Sequence, residues 1–307
     1  MTSPASDASP SAALPDETAP ERVVLRVADL APVGQFYRFG VGLAVLERDD
    51  ERVILGTDAG PIVELRADPD GTARPDDAAG LYHLAIRVPD RPALGAALER
   101  LRERWQLHGA ADHLVSEALY TADPEGNGVE LYRDRPREEW PRTADGGVEM
   151  DTRPLDLEAL ARVGTDPPAW ADREFATEDS TAAVPGETDL GHVHLEVTDI
   201  DRSRAWYVDR LGLAEMARYG RDASFLAAGG YHHHVGLNVW EERTAPSSGR
   251  GLERVVLGVP DADALEALRE RMGVEAVTGD DEGELRVDDP DGIRWTVRVA
   301  DRARRVD

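Results

Sequence analysis

Five short phrases hold most of the side chains able to do acid, base or metal chemistry. They are GLYHLAI with His83, ADHLVSEALY with His113 and Tyr120, DPEGNGVELY with Glu130, HVHLEV with His192 and His194, and YHHHVGLN with His232, His233 and His234. Imidazole is the side chain whose charge ordinarily changes near neutrality, so it can carry a proton or, uncharged, bind a cation. Two imidazoles and one carboxylate on one face of an octahedron leave positions open for further ligands, the arrangement of non-haem Fe(II) oxygenases. Cysteine is missing from the chain, which removes disulfides, thiolate zinc sites and cysteine nucleophiles. Alternation along a strand puts His192 and His194 on one face, and likewise His232 and His234, with His233 turned the other way. Taken singly, a strand histidine is more often structural than a ligand. His108, beside Gly109 after a helical run, reads as a helix-terminal residue with no chemistry.

These phrases sit in a repeat. RVVLRVAD, HLAIRVPD, HVHLEVTD and RVVLGVPD each alternate as a strand and end on an Asp, at 29, 90, 199 and 261, a residue suited to cap the helix that follows. Each helical pattern leads to two or three short strands broken by Gly, Asp and Pro turns. The unit is βαβββ, over 21–66, 80–133, 190–240 and 251–299. Residues 136–188, rich in Pro, Asp, Glu and Thr, read as a linker with one short helix at LDLEALARVG that stops at Gly164.

Composition narrows the partners. The 307 residues suit about two domains, and 41% hydrophobic residues suffice for a core in each. Sixty-one acidic against 35 basic residues leave −26, and every one of the 35 is arginine. Such a chain repels polyanions, so nucleic acid and anionic membrane surfaces are not expected partners. Acid spread over the whole chain with no lysine favours life in molar salt, where the Debye length falls to ~3 Å and self-repulsion is screened. The opening MTSPASDASPSAALPDETAPE lacks a basic n-region and an apolar core of signal length. Residues 1–20 therefore read as a disordered leader, and the protein as cytoplasmic.

Paired βαβββ units with a histidine at the first strand and a DPEGNGVELY close resemble the vicinal oxygen chelate superfamily, which includes glyoxalase I, fosfomycin resistance proteins and extradiol ring-cleaving dioxygenases. The stretches GLYHLAI, ADHLVSEALYTADPEGNGVELYRDRPREEW, GHVHLEV and AGGYHHHVGLN are similar to two-domain bacterial catechol 2,3-dioxygenase-like proteins. The resemblance implies an α+β fold, with four βαβββ units forming two cupped, mixed half-barrel sheets and helices outside. In chain order the units make a first domain over 21–135 and a second over 189–302. Pairing of the second unit with the third, and the first with the fourth, stays open beside it.

In that superfamily an imidazole ligand sits at the start of the first strand. Counting back seven residues from each closing Asp gives Arg22, His83, His192 and Arg254. The carboxylate ligand comes seven residues after the Asp of a DP turn, at Glu130 after Asp123, while Thr296 holds that place after Asp289. The first unit offers only Glu64. The resemblance thus implies a metal site of His83, Glu130 and His192, which requires the second and third units to pair, with His234 as fallback. The implied metal is Fe(II) or Mn(II).

His113 stands where extradiol dioxygenases place their acid–base histidine, and a structural role bonding a turn is an equal alternative. His194 shares a face with His192 and could touch substrate or orient a ligand. Tyr120 and Tyr231 could hydrogen-bond a phenolic oxygen or simply fill the core. The expected activity is ring cleavage of a catechol-like or hydroquinone-like diol by dioxygen, in a monomer or homodimer. A glyoxalase-type isomerase and a non-catalytic sequestering protein are the rivals.

Overall fold

The computed structural model describes residues 13–144, 147–164, 182–273 and 283–300. The first unit holds β1 (Ala19–Val27), α1 (Leu30–Gln35), β2 (Ala44–Arg48), β3 (Arg52–Thr57) and β4 (Gly60–Ala67). The second holds β5 (Gly80–Arg87), α2 (Arg91–Arg104), β6 (Gly109–Asp112), β7 (Ser116–Ala122) and β8 (Gly128–Asp134), and the linker contributes α3 (Leu157–Val163). The third holds β9 (Asp189–Glu196), α4 (Ile200–Ala205), β10 (Ala214–Tyr219), β11 (Ala223–Ala227) and β12 (Val235–Asn238). The fourth holds β13 (Gly251–Val259), α5 (Ala262–Met272), β14 (Leu285–Asp288) and β15 (Arg294–Val299).

Each closing Asp does cap the next helix. Asp29, Asp90, Asp199 and Asp261 have extended backbones, and their carboxylates accept from the N–H of Ala31, Ala93, Asp201 with Arg202, and Ala264. In the first and third units the helix widens over Phe36–Val41 and Trp206–Leu211 and stops at Gly42 and Gly212, with φ of 101° and 92°. That left-handed conformation is open to glycine at little cost.

Strands form two mixed sheets, β14-β15-β13-β1-β4-β3-β2 and β10-β11-β12-β9-β5-β8-β7-β6. Within every unit the first strand runs parallel to the last, and units join through antiparallel first strands, β1 with β13 and β5 with β9. The sheets therefore unite the first unit with the fourth and the second with the third. Neither 21–135 nor 189–302 carries a sheet of its own, a departure from the division by chain order.

Neighbours in sequence meet behind the sheets instead. The Tyr37 hydroxyl from the first unit donates to Asp123 in the second at 3.5 Å, and Tyr207 from the third donates to Asp289 in the fourth at 2.9 Å. Both aspartates fold a DP turn by accepting backbone N–H bonds from Glu125 with Asn127, and from Asp291 with Ile293. The largest apolar cluster among the described residues draws on both sheets, with Leu25, Leu84, Val193 and Leu257 fully buried.

Residues 1–12 of the leader lie outside the described residues, but 13–20 are ordered. Leu14 is buried and its N–H donates to Gly212 O at 3.0 Å, and Ala19 already belongs to β1. The linker helix ends at Gly164 as expected. It docks where Gly95 and Gly164 nearly touch, since a Cβ on Gly164 would lie 2.3 Å from Gly95 C.

Beside the junction of β5 and β9, Gly191 leaves room for a buried tyrosine: an added Cβ would stand 1.7 Å from the Tyr132 hydroxyl. Gly191→Ala should therefore destabilise by about 1–3 kcal/mol. Thermal unfolding followed by circular dichroism checks this, and an unchanged midpoint would contradict the packing.

Candidate metal centre

Register on the second sheet brings the chemistry together. Ala85 on β5 faces Glu130 on β8 and His192 on β9, while the neighbouring row pairs His83 with Gly128 and His194. Strand neighbours lie about 5 Å apart, so a small residue between two long ones lets their tips converge. Ala85 plays that part, and the Glu130 Oε2 lies 3.2 Å from His192 Nε2 and 2.9 Å from His83 Nε2. His194 Nε2 is 2.9 Å from His233 Nε2, and its ring stacks on His83 at 4.3 Å.

The third unit lacks a carboxylate at the equivalent place. Gly236 pairs with His194 as Glu130 pairs with Ala85. A Cβ there would come within 2.4 Å of the His194 ring, so the imidazole occupies the space a second carboxylate would need.

His83, Glu130, His192 and His194 are all buried. Burial alone would raise the Glu130 carboxyl, but the adjacent imidazoles of His192 and His83 hold it well below the usual range. Burial drives His192 down to about 4, against the partial support of Glu130. His194 and His233 are lowered by burial and by their neighbouring imidazoles. At neutral pH the Glu130 carboxylate thus lies among the uncharged imidazoles of His192, His194 and His233.

His83 Nε2 tests whether a cation fits. It is buried and close to Glu130, but misaligned for a hydrogen bond and left without a hydrogen-bond partner. Donors of His83, His192 and His194 all lie within 4.8 Å of one another. A divalent cation among His83, His192 and Glu130 would satisfy the orphaned nitrogen and the buried charge together, and the donor set suits Fe(II) or Mn(II).

His113 sits at the mouth of the β6–β7 hairpin, where Leu114 takes a left-handed φ of 71° and Asp112 Oδ1 accepts its N–H. Its Nδ1 contacts the Asp151 carbonyl at 2.9 Å and its Nε2 the Tyr120 hydroxyl at 2.7 Å. A carbonyl can only accept, so Nδ1 of the uncharged ring carries the proton and Nε2 accepts from Tyr120. Tyr120 faces Glu130 across β7 and β8, and its hydroxyl is raised by burial and by that carboxylate.

The triple histidine departs from the alternation rule because His232, His233 and His234 precede β12, which starts at Val235. His233, not His234, reaches the centre. His234 instead accepts the Ala228 N–H at 3.2 Å and stacks on Tyr231 at 4.8 Å, so the fallback residue is occupied elsewhere. A relay runs from Asp134 Oδ1 to His232 Nε2 at 2.9 Å, from His232 Nδ1 to His233 Nδ1 at 2.7 Å, and on to His194. A carboxylate only accepts, so Asp134 sets the tautomer of each singly protonated ring in turn and leaves the lone pair of His194 on Nδ1, which has no hydrogen-bond partner. Tyr231 belongs to this support, donating to Asp134 at 2.9 Å and meeting Tyr132 at 2.7 Å.

Three further groups escaped sequence reasoning. Asp151 from the linker holds His113, Asp134 anchors the relay, and His108 lines the cavity because α2 ends earlier, at Arg104. On the sister sheet, Arg22 and Arg66 grip Glu64 at 3.2 and 2.7 Å, with Arg254 at 3.9 Å. Guanidinium charge thus surrounds the carboxylate that corresponds in register to Glu130 of the second sheet.

Residues 19–131 and 189–297 match the Glyoxalase/Bleomycin resistance protein/Dioxygenase superfamily. The chain is 38% identical over 263 residues to catechol-2,3-dioxygenase of Bacillus subtilis (strain 168), covering 83% of this chain and 88% of that protein. Among solved structures, a Bacillus subtilis subsp. subtilis str. 168 protein superposes with a TM-score of 0.62 at 12% identity, over 94% of this chain and 86% of that one. Glyoxalase I from Zea mays superposes with a TM-score of 0.54 at 18% identity, over 92% of each chain. These two likenesses describe the fold.

Lowered imidazoles carry a sign. His192 titrates near 6.5 when unfolded and about 4 when folded, so between those values the unfolded chain binds a proton that the folded one refuses. This contribution to stability is complete above the unfolded value and is lost as pH falls towards 4. In metal-free protein, histidine NMR titrations should find His192 near pH 4 and His234 near pH 3. A midpoint near 6.5 for either would refute the assigned environment.

Proposed function

The chain belongs to the Glyoxalase/Bleomycin resistance protein/Dioxygenase superfamily, and on that footing we propose that it is a metal-dependent dioxygenase opening a catechol-like or hydroquinone-like ring. The observation that carries this reading is the approach of one buried carboxylate oxygen to two imidazole nitrogens, Glu130 Oε2 to His83 and His192. The 38% identity to a catechol-2,3-dioxygenase supports the same reaction class.

His83, His192 and Glu130 would hold the metal, Fe(II) or Mn(II). The bound cation supplies Lewis acidity and the one-electron chemistry that dioxygen requires. Everything else falls to the protein. Tyr120 and His113 form a proton path at the cavity wall, and His113 Nε2 is the atom that receives a hydroxyl proton and returns it. Asp151 holds the ring in the tautomer that leaves this nitrogen free to accept. Uncharged His194 and His233 form a polar wall without adding positive charge.

A glyoxalase-type isomerase favours a second carboxylate at the metal, and Gly236 stands in its place.

Protein loaded anaerobically with Fe(II) should hold about one metal ion per chain and consume oxygen with at least one member of a catechol and hydroquinone panel. Glu130→Gln should lose the metal. His113→Ala should keep it and slow turnover by about 10²–10⁴. Full metal occupancy without oxygen uptake across the panel would make the protein a binder, and loss of metal from His113→Ala would overturn the assignment of roles.

A further inference from the structure

The cavity over the centre is much larger than one diol ring requires. It measures about 880 Å³, near the top of the ~300–1,000 Å³ range typical of pockets for drug-sized ligands. Its aromatic wall leads outward from the donors. Phe225 lies 5.6 Å from His194 and 5.1 Å from His233, and Tyr82 lies 5.3 Å from His83. Tyr82 then meets Trp240 edge to face at 5.3 Å. Tyr82 and Trp240 are 37% and 42% exposed, among the few large exposed hydrophobic residues of the described chain. Aromatic surface left open at a pocket rim marks a place that a ligand covers.

The charges in the same wall point away from an anionic ligand. Its arginines are Arg74, Arg218 and Arg243, and each is engaged. Arg74 holds Glu196 and donates to Leu81 O at 2.7 Å, Arg243 holds Glu196 at 2.9 Å, and Arg218 holds Asp201 at 2.7 Å. A substrate carboxylate would have to compete with Glu196 for Arg74 and Arg243, or with Asp201 for Arg218, in a chain of net charge −26.

We propose that the physiological diol carries a bulky, uncharged, apolar ring substituent, of aryl or branched-alkyl class, lying along Phe225, Tyr82 and Trp240. This rests on the dioxygenase reading for the placement of the diol, whereas the preference for the substituent is a property of the wall. Anaerobic calorimetric titration of the Fe(II)-loaded protein with catechol, 4-phenylcatechol and 3,4-dihydroxyphenylacetate separates the two.

4-Phenylcatechol should bind at least tenfold tighter than catechol, and 3,4-dihydroxyphenylacetate no tighter than catechol. Trp240→Ala, at a position 42% exposed, should cut the phenyl preference at least threefold, and Phe225→Leu should cut it as well. Equal binding of catechol and 4-phenylcatechol, tightest binding of the carboxylate, or a preference untouched by both variants would overturn the proposal. Oxygen uptake on the same samples reports separately on ring cleavage. Tight phenylcatechol binding without uptake sinks the reaction and leaves the substrate class standing, while uptake indifferent to the substituent, with equal binding, does the reverse.

Discussion

The centre depends on one antiparallel pairing, β5 against β9. Side chains alternate along a strand, so a slip of one residue would send His192 and His194 to the opposite face and leave Glu130 with His83 alone. Apolar residues fix that register. Leu84 and Val193 are cross-strand partners, fully buried on the core side, and a slip would drive them out of the core. The polar cluster is therefore held by the hydrophobic pattern on the other face of the same strands, and inherits its precision from packing.

Two sheets of the same design make the electrostatics easier to read. Each buries a glutamate near the junction of two units, Glu64 on one and Glu130 on the other, both 2% exposed. A buried carboxylate is costly unless something compensates it. Around Glu64 the compensation is covalently built in, as the guanidinium groups of Arg66, Arg22 and Arg254 hold its carboxyl below the usual range against burial. Around Glu130 the neighbours are imidazoles, of which burial keeps His192 from charging, so the compensation there is not built in as guanidinium charge. This difference explains why one cup is a sealed ion pair and the other is suited to a divalent cation.

Much of this was legible in the chain. The Asp caps and the four units follow from strand alternation and fixed spacing, which are local properties, whereas His83, Glu130 and His192 stood out as candidates through the family resemblance. What failed to show is non-local. Unit pairing is decided by which first strands meet, and the four similar first strands give no local signal for that choice. Strand alternation turns His233 away from the site, but residues 232–234 precede β12 and do not alternate. Asp151, Asp134 and Gly236 act through partners far away in sequence, or through a missing side chain, and no pattern of types announces them.

The long connection between the second and third units is part of the same logic. Strands β8 and β9 belong to one sheet, yet the chain between them includes α3, Trp140 and Asp151. Doubling the length of a flexible connection costs only about 0.6 kcal/mol in closure entropy, so a long crossing is a cheap way to bring extra groups to a site. Here it packs Trp140 beside Tyr231 and His232, at 5.7 and 5.2 Å, and brings the Asp151 carbonyl to His113. A minimal turn between the two units would complete the donor set equally well. It would leave His113 without the acceptor that fixes its tautomer, and the relay through His232 without an apolar cover. The connection therefore orders the proton chemistry of the centre more than it joins two halves.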